Sequence, residues 1–301
     1  MLLPKPPLAI ETRRITSFDG TKIAYRATRA PFEGAPVVVL ANGLGGPYLA
    51  WREQIDALSS RCRLLTWDYR GLYESGRPSP DEPRAYAIER HVRDLQAILA
   101  AEGIEHASLV GWSMGVQVVL EAFRMLPGVA RNLILLCGTY GRPLDTLSPL
   151  PGAKMVLPSL VEVATRAHAL ATQMTRRATA QPEALAWLKR IGLIGPTMDD
   201  EVFAELVHAF GALDMEAYFR NLRAIGEHDA EDVLETLDVP VLVIAGDHDA
   251  FMPPALARRM AQRIPLAELL IVRGGTHYAA VEFPELISLR IERFFRGHHF
   301  L

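Results

Sequence analysis

The segment Gly111-Trp112-Ser113-Met114-Gly115 places a serine between two glycines in a G-x-S-x-G pattern. This pattern is typical of a sharp strand-to-helix turn that lifts the serine hydroxyl above a sheet, and the glycines leave room for the crowded backbone. Residues 107–110 have the composition of a strand and residues 116–125 that of a helix, which is the context such a turn needs. We therefore predict Ser113 to be a nucleophile. The simpler alternative is a glycine-rich turn with an incidental serine.

A serine hydroxyl is a weak nucleophile at neutral pH, so it needs a base within hydrogen-bonding distance. Among the nine histidines, His277 follows Gly274-Gly275-Thr276 in a loop between a predicted strand at 268–272 and a final predicted helix. Loops at the carboxyl ends of strands carry the ligand sites of open α/β sheets. His277 is therefore the predicted base, and a loop histidine without a function is the alternative.

The base in turn needs an acid that orients its ring. The predicted strand 241–245 ends at Gly246-Asp247-His248-Asp249, again at a carboxyl end, and two carboxylates compete there. The tight turn is expected to use Asp247 in its own hydrogen bonds, which leaves Asp249 to face the site. If both aspartates only capped the next helix, neither would have this role. The chain order of serine, acid and base is the one expected for a triad built on this type of turn.

Attack on a carbonyl group also needs N–H donors aimed at the oxygen of the tetrahedral intermediate, each worth on the order of 3 kcal/mol. The backbone N–H of Met114, next to the serine at a helix N-terminus, is the first predicted donor. The loop Asn42-Gly43-Leu44-Gly45-Gly46 follows an apolar strand, and the N–H of Leu44 is the second predicted donor. The glycines allow the backbone to approach a substrate closely. Taken alone, an ordinary turn is the alternative for this loop.

These residues need a scaffold that brings strand ends together, and the apolar patterning predicts one. Strands alternate with helices up to residue 139, and continuous apolar runs such as 36–41 are typical of parallel strands buried on both faces. We predict an α/β fold with a mostly parallel central sheet flanked by helices. The predicted strands are 12–17, 22–28, 36–41, 62–67, 107–111, 131–137, 241–245 and 268–272, and the predicted helices are 47–59, 86–102, 114–126, 254–263 and 280–296.

Residues 140–229 interrupt this alternation with a helical periodicity and no convincing strand. Because sheet elements lie on both sides, we predict a helical lid inserted into one core domain made of residues 1–139 and 230–301. A separate helical domain is the alternative. Most lid aromatics are expected to pack against the core. Five aromatic residues are predicted to contact a substrate in a mostly apolar pocket: Trp112, Tyr140, Trp187, Phe203 and Phe251.

The composition argues against several classes of function. A net charge of −3 over 301 residues disfavours binding to nucleic acid or to an anionic membrane, and no run of about 18 apolar residues predicts a membrane span. Cys62 and Cys137 are predicted to be buried free thiols rather than a disulfide, which favours a reducing compartment. No phosphate-binding, dinucleotide-binding or metal-ligand motif occurs, so we expect no cofactor and no metal. The proline-rich start is not typical of a signal peptide, and a cytoplasmic location is expected.

Together these motifs resemble the α/β-hydrolase superfamily over residues 12–296, apart from the predicted lid. The loop Asn42-Gly43-Leu44-Gly45 resembles the family's His-Gly oxyanion loop, with Asn in place of the usual His. The segment Asp68-Tyr69-Arg70-Gly71 matches the family's loop after the fourth strand, and Tyr73 stands where a glycine is common.

Two further segments carry the same resemblance. Gly246-x-x-Asp249 resembles the family's acid turn, which supports Asp249 over Asp247. Gly275-Thr276-His277 followed by Glu282-Phe283-Pro284-Glu285 matches the family's histidine segment. A serine nucleophile disfavours the branches that use an aspartate, namely epoxide hydrolases and haloalkane dehalogenases.

The resemblance implies hydrolysis of an ester, thioester, lactone or C–C bond. We predict a serine hydrolase that cleaves a small or medium apolar carboxylic ester through an acyl-enzyme. The alternatives are a lactonase or C–C bond hydrolase, a cofactor-free haloperoxidase or perhydrolase, and a ligand receptor with slow turnover. An inactive scaffold would lack a member of the triad, and none is missing. The expected partner is a small ester-like molecule, and the oligomeric state is left open.

Overall fold

The fold is built on one eight-stranded sheet. The structure is a computed structural model that describes residues 10–143, 161–181 and 183–301 of the chain. Its strands are β1 (Ile10–Thr16), β2 (Lys22–Thr28), β3 (Val37–Ala41), β4 (Arg63–Trp67), β5 (Ala107–Trp112), β6 (Ala130–Leu136), β7 (Val241–Gly246) and β8 (Ala267–Val272). Their order across the sheet is β1-β2-β4-β3-β5-β6-β7-β8. The first two strands are antiparallel to their neighbours and the other six are parallel, which confirms the predicted mostly parallel sheet.

Helices flank this sheet. In chain order they are α1 (Arg52–Leu58), α2 (Ile88–Glu102), α3 (Met114–Met125), α4 (His168–Thr179), α5 (Glu183–Arg190), α6 (Asp200–Gly211), α7 (Met215–Glu227), α8 (Pro254–Arg263), α9 (Ala279–Glu282) and α10 (Pro284–Gly297), and residues 161–166 are also helical. The predicted helix 47–59 begins as a 3-10 helix at Tyr48–Trp51. The predicted single helix 280–296 is wrong, because α9 and α10 are divided before Pro284, which has no N–H to continue the helix.

The central strands are buried on both faces, and alternate residues serve two apolar clusters. In β3, Val39 packs in the cluster that contains Val92 of α2, whereas Leu40 packs in the cluster that contains Ile55 of α1 and Phe294 of α10. All residues of β5 and of β7 are buried. This two-sided burial explains why these strands have continuous rather than alternating apolar sequences.

Between β6 and β7 the described residues 161–181 and 183–229 form the helices α4 to α7 and no strand. The two ends of this insertion meet at an isolated antiparallel bridge between Gly141 and Asp229. The N–H of Ala230 donates to the backbone oxygen of Tyr140 at 2.9 Å, and the N–H of Arg142 donates to that of His228 at 3.1 Å. The predicted lid, 140–229, includes residues 144–160, which lie outside the described residues. Its domain boundaries stay a prediction.

Cys62 and Cys137 are both free and buried, as predicted. Within the described ranges, no helix is long and apolar enough to cross a membrane. Nor do residues 10–143, 161–181 and 183–301 contain a group of three His, Cys, Asp or Glu side chains that could hold a metal ion.

Candidate active site

Ser113 lies at the sharp turn between β5 and α3, with φ of 56° and ψ of −115°. A positive φ is unfavourable for a residue with a Cβ, so the surrounding backbone must enforce it. The flanking glycines allow this close packing. A Cβ on Gly111 would lie 2.3 Å from the backbone oxygen of Gly115, and a Cβ on Gly115 would lie 2.1 Å from that of Ala41. Both distances are far below contact, so no larger residue fits at either position.

The structure brings Ser113, His277 and Asp249 together at the carboxyl ends of β5, β8 and β7. The Ser113 Oγ lies 2.8 Å from His277 Nε2, and His277 Nδ1 lies 2.9 Å from Asp249 Oδ2. With Nδ1 protonated, the ring donates to the carboxylate and Nε2 accepts from the serine hydroxyl. The Asp249 side chain is 0% exposed and that of His277 is 11% exposed. The carboxylate is therefore shielded from water and faces the imidazole.

The second Asp249 oxygen is also satisfied. It accepts hydrogen bonds from the backbone N–H groups of Phe251 and Met252, both at 2.8 Å. The competing carboxylate, Asp247, instead accepts from the N–H of Gly274 at 2.7 Å and does not reach His277. The structure thus brings Asp249, and not Asp247, to the imidazole, with Asp247 used in loop hydrogen bonds as the turn chemistry suggests.

Two residues fix the backbone that carries the imidazole. The indole N–H of Trp112 donates to the backbone oxygen of His277 at 2.9 Å. Glu282, which is 4% exposed, accepts from the N–H of Thr276 at 2.8 Å and from its hydroxyl at 2.6 Å. The same carboxylate accepts from the N–H of Gly195, between α5 and α6, at 2.6 Å. Glu282 thereby ties the inserted helices to the histidine loop.

The glycine-rich loop after β3 lies against the serine. A Cβ on Gly43 would lie 3.4 Å from the Cβ of Ser113. Met114 is the first residue of α3, and the first N–H groups of a helix have no acceptor in the preceding turn. Among the described residues, neither the N–H of Met114 nor that of Leu44 donates to a protein group. Both predicted donors are available to a ligand.

The side chain of Asn42 stabilises this loop through hydrogen bonds. Its amide group donates to the backbone oxygen of Trp67 at 2.9 Å, and its side-chain oxygen accepts from the indole of Trp51 at 2.7 Å and from the hydroxyl of Thr66 at 3.2 Å. Asn42 is 2% exposed, and all of these partners are buried. The side-chain nitrogen and oxygen of Asn42, which stands where the family usually has a His, are therefore both hydrogen-bonded.

Two tyrosines from the loop after β4 add to this support. The hydroxyl of Tyr69 donates to the backbone oxygen of Asn42 at 2.7 Å, and that of Tyr73 donates to the backbone oxygen of Gly45 at 2.5 Å. Tyr73 has a φ of 50°, a conformation that glycine adopts more easily, which agrees with the glycine common at this position of the family. In this protein the residue with that conformation also donates a hydrogen bond to the glycine-rich loop after β3.

Cys137 lies near the site but is not positioned to react. Its thiol contacts the backbone oxygen of Thr276 at 3.8 Å and is buried. Burial, with the charge of Asp249, raises the pKa of the Cys137 thiol well above its usual range. A thiol that stays protonated is a poor nucleophile, so Ser113 is the better candidate.

A cavity of about 450 Å³ lies between the inserted helices and the carboxyl edge of the sheet, and its lining includes Trp112 and Tyr278, the chain neighbours of Ser113 and His277. Its walls include Leu44 of the glycine-rich loop after β3, and α6 contributes four apolar residues to it. Of the predicted substrate-contacting residues, Trp112, Phe203 and Trp187 line it, and Trp187 is 60% exposed. The walls are mostly apolar, as small-molecule sites are in general.

The other two predicted contact residues do not line this cavity. Phe251 instead packs its ring edge-on against the imidazole of His277, at 5.1 Å between centroids. Tyr140 packs against the core cluster, and its backbone joins the bridge that closes the insertion. Sequence reasoning missed the supporting roles of Asn42, Tyr73 and Glu282. The signal for Glu282 was a lone acidic residue in the apolar stretch that follows the histidine.

Known proteins resemble this chain along most of its length. A family model described as alpha/beta hydrolase fold matches residues 36–284. A putative carbamate hydrolase, RutD of Caulobacter sp. strain K31, is 28% identical over 267 residues, covering 89% of this chain and 93% of that one. Among solved structures, the enol-lactonase of Burkholderia xenovorans LB400 superimposes with a TM-score of 0.75 at 24% identity, covering 94% and 100% of the two chains. The esterase of Exiguobacterium antarcticum does so with a TM-score of 0.74 at 19% identity, covering 94% and 98%.

Proposed function

Because the chain belongs to the alpha/beta hydrolase fold family, we propose that it is a serine hydrolase that cleaves a small or medium apolar carboxylic ester. The observation that carries this proposal is the continuous hydrogen-bonded path from Ser113 Oγ through His277 to Asp249, with distances of 2.8 and 2.9 Å. A serine, an imidazole and a buried carboxylate in this order form the arrangement that activates a hydroxyl for acyl transfer.

In the proposed first step, His277 Nε2 takes the proton of Ser113 as Oγ attacks the acyl carbon. The imidazolium that forms is stabilised by Asp249, whose charge is screened little because the side chain is 0% exposed. The negative oxygen of the tetrahedral intermediate accepts from the N–H groups of Leu44 and Met114. Losing one such donor costs on the order of 3 kcal/mol of transition-state stabilisation.

The intermediate then collapses, and His277 returns its proton to the leaving alcohol oxygen. The acyl group stays bonded to Ser113 Oγ. A water molecule attacks this ester with His277 again acting as the base, the acid is released, and the serine recovers its proton. Apart from the ester and this water molecule, the groups that take part in both halves of this sequence are supplied by the chain.

The cavity supports the choice of an apolar substrate. Its volume of about 450 Å³ lies in the range of small-molecule sites, roughly 300–1,000 Å³. Leu206, Val207 and Phe210 of α6 give it apolar walls on the side of the insertion. Each methylene transferred from water to such walls contributes about 0.8 kcal/mol, so an acyl chain of several carbons gains substantial binding energy.

A carbamate is the second candidate substrate. It is favoured by the relatives named putative carbamate hydrolase, which match over most of this chain. A carbamate carbonyl passes through the same tetrahedral geometry, so the proposed relay suits it equally. Its nitrogen donates electrons to the carbonyl carbon, however, which slows attack relative to an ester of the same shape.

The test is a substrate panel with the purified protein and the Ser113→Ala variant. We expect steady-state turnover of p-nitrophenyl esters that increases from acetate towards medium-length acyl chains, slower turnover of matched aryl carbamates, and no turnover by the variant. A fluorophosphonate should add its mass to the peptide that contains Ser113. A single burst without turnover would indicate a receptor, and turnover of carbamates alone would transfer the proposal to the second candidate.

A further inference from the structure

Two tyrosines line the cavity between the inserted helices and the sheet. Tyr218 comes from α7 and Tyr278 directly follows His277 in the chain, and both line the cavity. One edge of the Tyr218 ring is so close to Gly45 that a Cβ there would lie 3.0 Å from it. The Tyr278 ring packs against Trp112 at 5.8 Å and against Phe203 at 6.2 Å between centroids. Both rings are thus held in place by their neighbours.

The hydroxyl groups of these rings have no partner in the described part of the chain. The hydroxyls of Tyr25, Tyr69, Tyr73 and Tyr86 each donate a hydrogen bond to a protein oxygen. Neither Tyr218 nor Tyr278 does so, although each ring lines an otherwise mostly apolar space. Both side chains are partly exposed, so solvent can reach their hydroxyls. A ligand that fills the cavity shields these hydroxyls from water, and a ligand that supplies an acceptor avoids the cost of leaving them without a partner.

The cavity contains no countercharge. Its described lining residues include no Asp, Glu, Lys, Arg or His. Besides the two tyrosines, the lining side chains with polar atoms are those of Thr175 and Thr179 on α4 and the indoles of Trp112 and Trp187. Burial raises the pKa of Tyr218 to about 12, with a smaller contribution from Tyr278, and it also raises the pKa of Tyr278. Both phenols therefore keep their protons at neutral pH and act as uncharged donors. A carboxylate in this space would be desolvated without a positive partner.

We infer that Tyr218 and Tyr278 are specificity-determining residues that bind an uncharged oxygen group on the part of the substrate that fills the cavity. The preferred substrate is then a neutral ester with an additional carbonyl or ether oxygen, and neither a plain alkanoate ester nor an ester with a free carboxylate. This inference rests on the proposed function, since it assigns the substrate of the same site.

The test compares three nitrophenyl esters of nearly equal shape. The first is the half-ester of glutaric acid, the second has a methyl ketone in place of the free carboxylate, and the third has an isopropyl group there. We expect kcat/KM for the ketone to exceed that for the isopropyl ester by about 10-fold and that for the half-ester by about 100-fold. A second series consists of acetate esters that carry the same three groups on the alcohol portion. It covers the case in which the alcohol portion, and not the acyl portion, fills the cavity.

The readout is the kcat/KM for the ketone ester divided by the kcat/KM for the isopropyl ester, measured for each variant. Tyr218→Phe and Tyr278→Phe remove one hydroxyl each and should bring this ratio towards one, whereas Tyr25→Phe, which removes a hydroxyl far from the cavity, should preserve it. A ratio near one in the unchanged protein for both series would overturn the inference while leaving ester hydrolysis intact. So would a preference for the half-ester.

A binding measurement separates this inference from the proposed chemistry. With Ser113→Ala, titration calorimetry of the corresponding non-hydrolysable amides should give tighter binding of the ketone than of the isopropyl amide, by about 10-fold. The difference should vanish when Tyr218→Phe is added. Equal binding of the two amides would overturn the inference even if turnover of simple esters is high, and a clear difference would support it even if turnover is absent.

Discussion

The indole N–H of Trp112 donates a 2.9 Å hydrogen bond to the backbone oxygen of His277. The residue immediately before the proposed nucleophile therefore holds the backbone of the proposed base, which lies 165 positions after Trp112 in the chain. The bond crosses from the end of β5 to the loop after β8, and it is buried. Nucleophile and base are thus positioned relative to each other by a contact that takes no part in proton transfer.

Replacing Trp112 with Phe removes this donor and leaves the His277 oxygen buried without a partner. Such a loss costs about 1–3 kcal/mol, so we expect kcat/KM to fall by about 10-fold or more and the rate of fluorophosphonate labelling to fall in parallel. Steady-state kinetics and mass spectrometry measure the two effects, and circular dichroism checks that the variant is folded. Labelling at the original rate would contradict the positioning role.

The two neighbouring aspartates provide a matched pair of variants. Asp249→Asn removes the carboxylate that orients the imidazole, and we expect kcat to fall on the order of 10⁴-fold. Asp247→Asn alters a loop hydrogen bond to Gly274 and should lower kcat only by about 2- to 5-fold. Ser113→Ala should be at least as severe as Asp249→Asn. A larger loss in Asp247→Asn than in Asp249→Asn would reverse the assignment of the acid.

Glu282→Gln tests the connection between the inserted helices and the histidine loop. The amide keeps one acceptor oxygen but presents an NH₂ group to donors of Thr276 or Gly195, so at least one buried hydrogen bond is lost. We expect the free energy of unfolding to fall by about 1–3 kcal/mol, which lowers the melting temperature by several degrees. We also expect kcat to fall. Glu285→Gln, at an exposed position three residues later, is the control and should melt like the unchanged protein.

The buried side chain of His91 is expected to make the free energy of unfolding depend on pH. Burial, with the charge of Arg70, lowers the pKa of His91 from 6.5 to about 3. Its Nε2 lies 3.1 Å from the backbone oxygen of Tyr86, and its Nδ1 is buried without a partner. As the pH falls, the unfolded chain takes up the proton first. The stability that neutral His91 contributes is therefore complete above about pH 6.5 and is lost progressively towards about pH 3.

The measurement is the free energy of unfolding by denaturant at several pH values. Between about pH 7 and about pH 4, the free energy of unfolding of the unchanged protein should fall by on the order of 3 kcal/mol more than that of the His91→Gln variant, which has no titrating ring. Equal losses in the two proteins would show that His91 is not the responsible group.

The three residues of the relay could be predicted from the sequence because each follows a strongly patterned strand. Parallel strands end at one edge of a sheet, so Ser113, Asp249 and His277 were expected near each other before any distance was known. Turn chemistry also separated Asp249 from Asp247. The fold class followed from strand–helix alternation in the same way.

The supporting residues could not be predicted in this manner. Asn42 receives its partners Trp51 and Trp67 from different elements, and the register that brings them together appears only in three dimensions. The same holds for Glu282, whose partner Gly195 lies 87 positions earlier. Tyr140 and Phe251 were grouped with the cavity residues because aromatic composition indicates a pocket but gives no distance to it.

The bridge between Gly141 and Asp229 brings together the two points at which the chain leaves the sheet after β6 and returns towards β7. Because the segment between these residues contributes no strand to the eight-stranded sheet, replacing it as a cassette would leave the order of the strands unchanged. The serine, the acid and the base all lie outside the cassette, whereas Tyr218 and most of the cavity walls lie inside it. Changes within the cassette can thus alter the shape of the cavity without replacing the serine, the acid or the base, provided that the contact between Gly195 and Glu282 is kept.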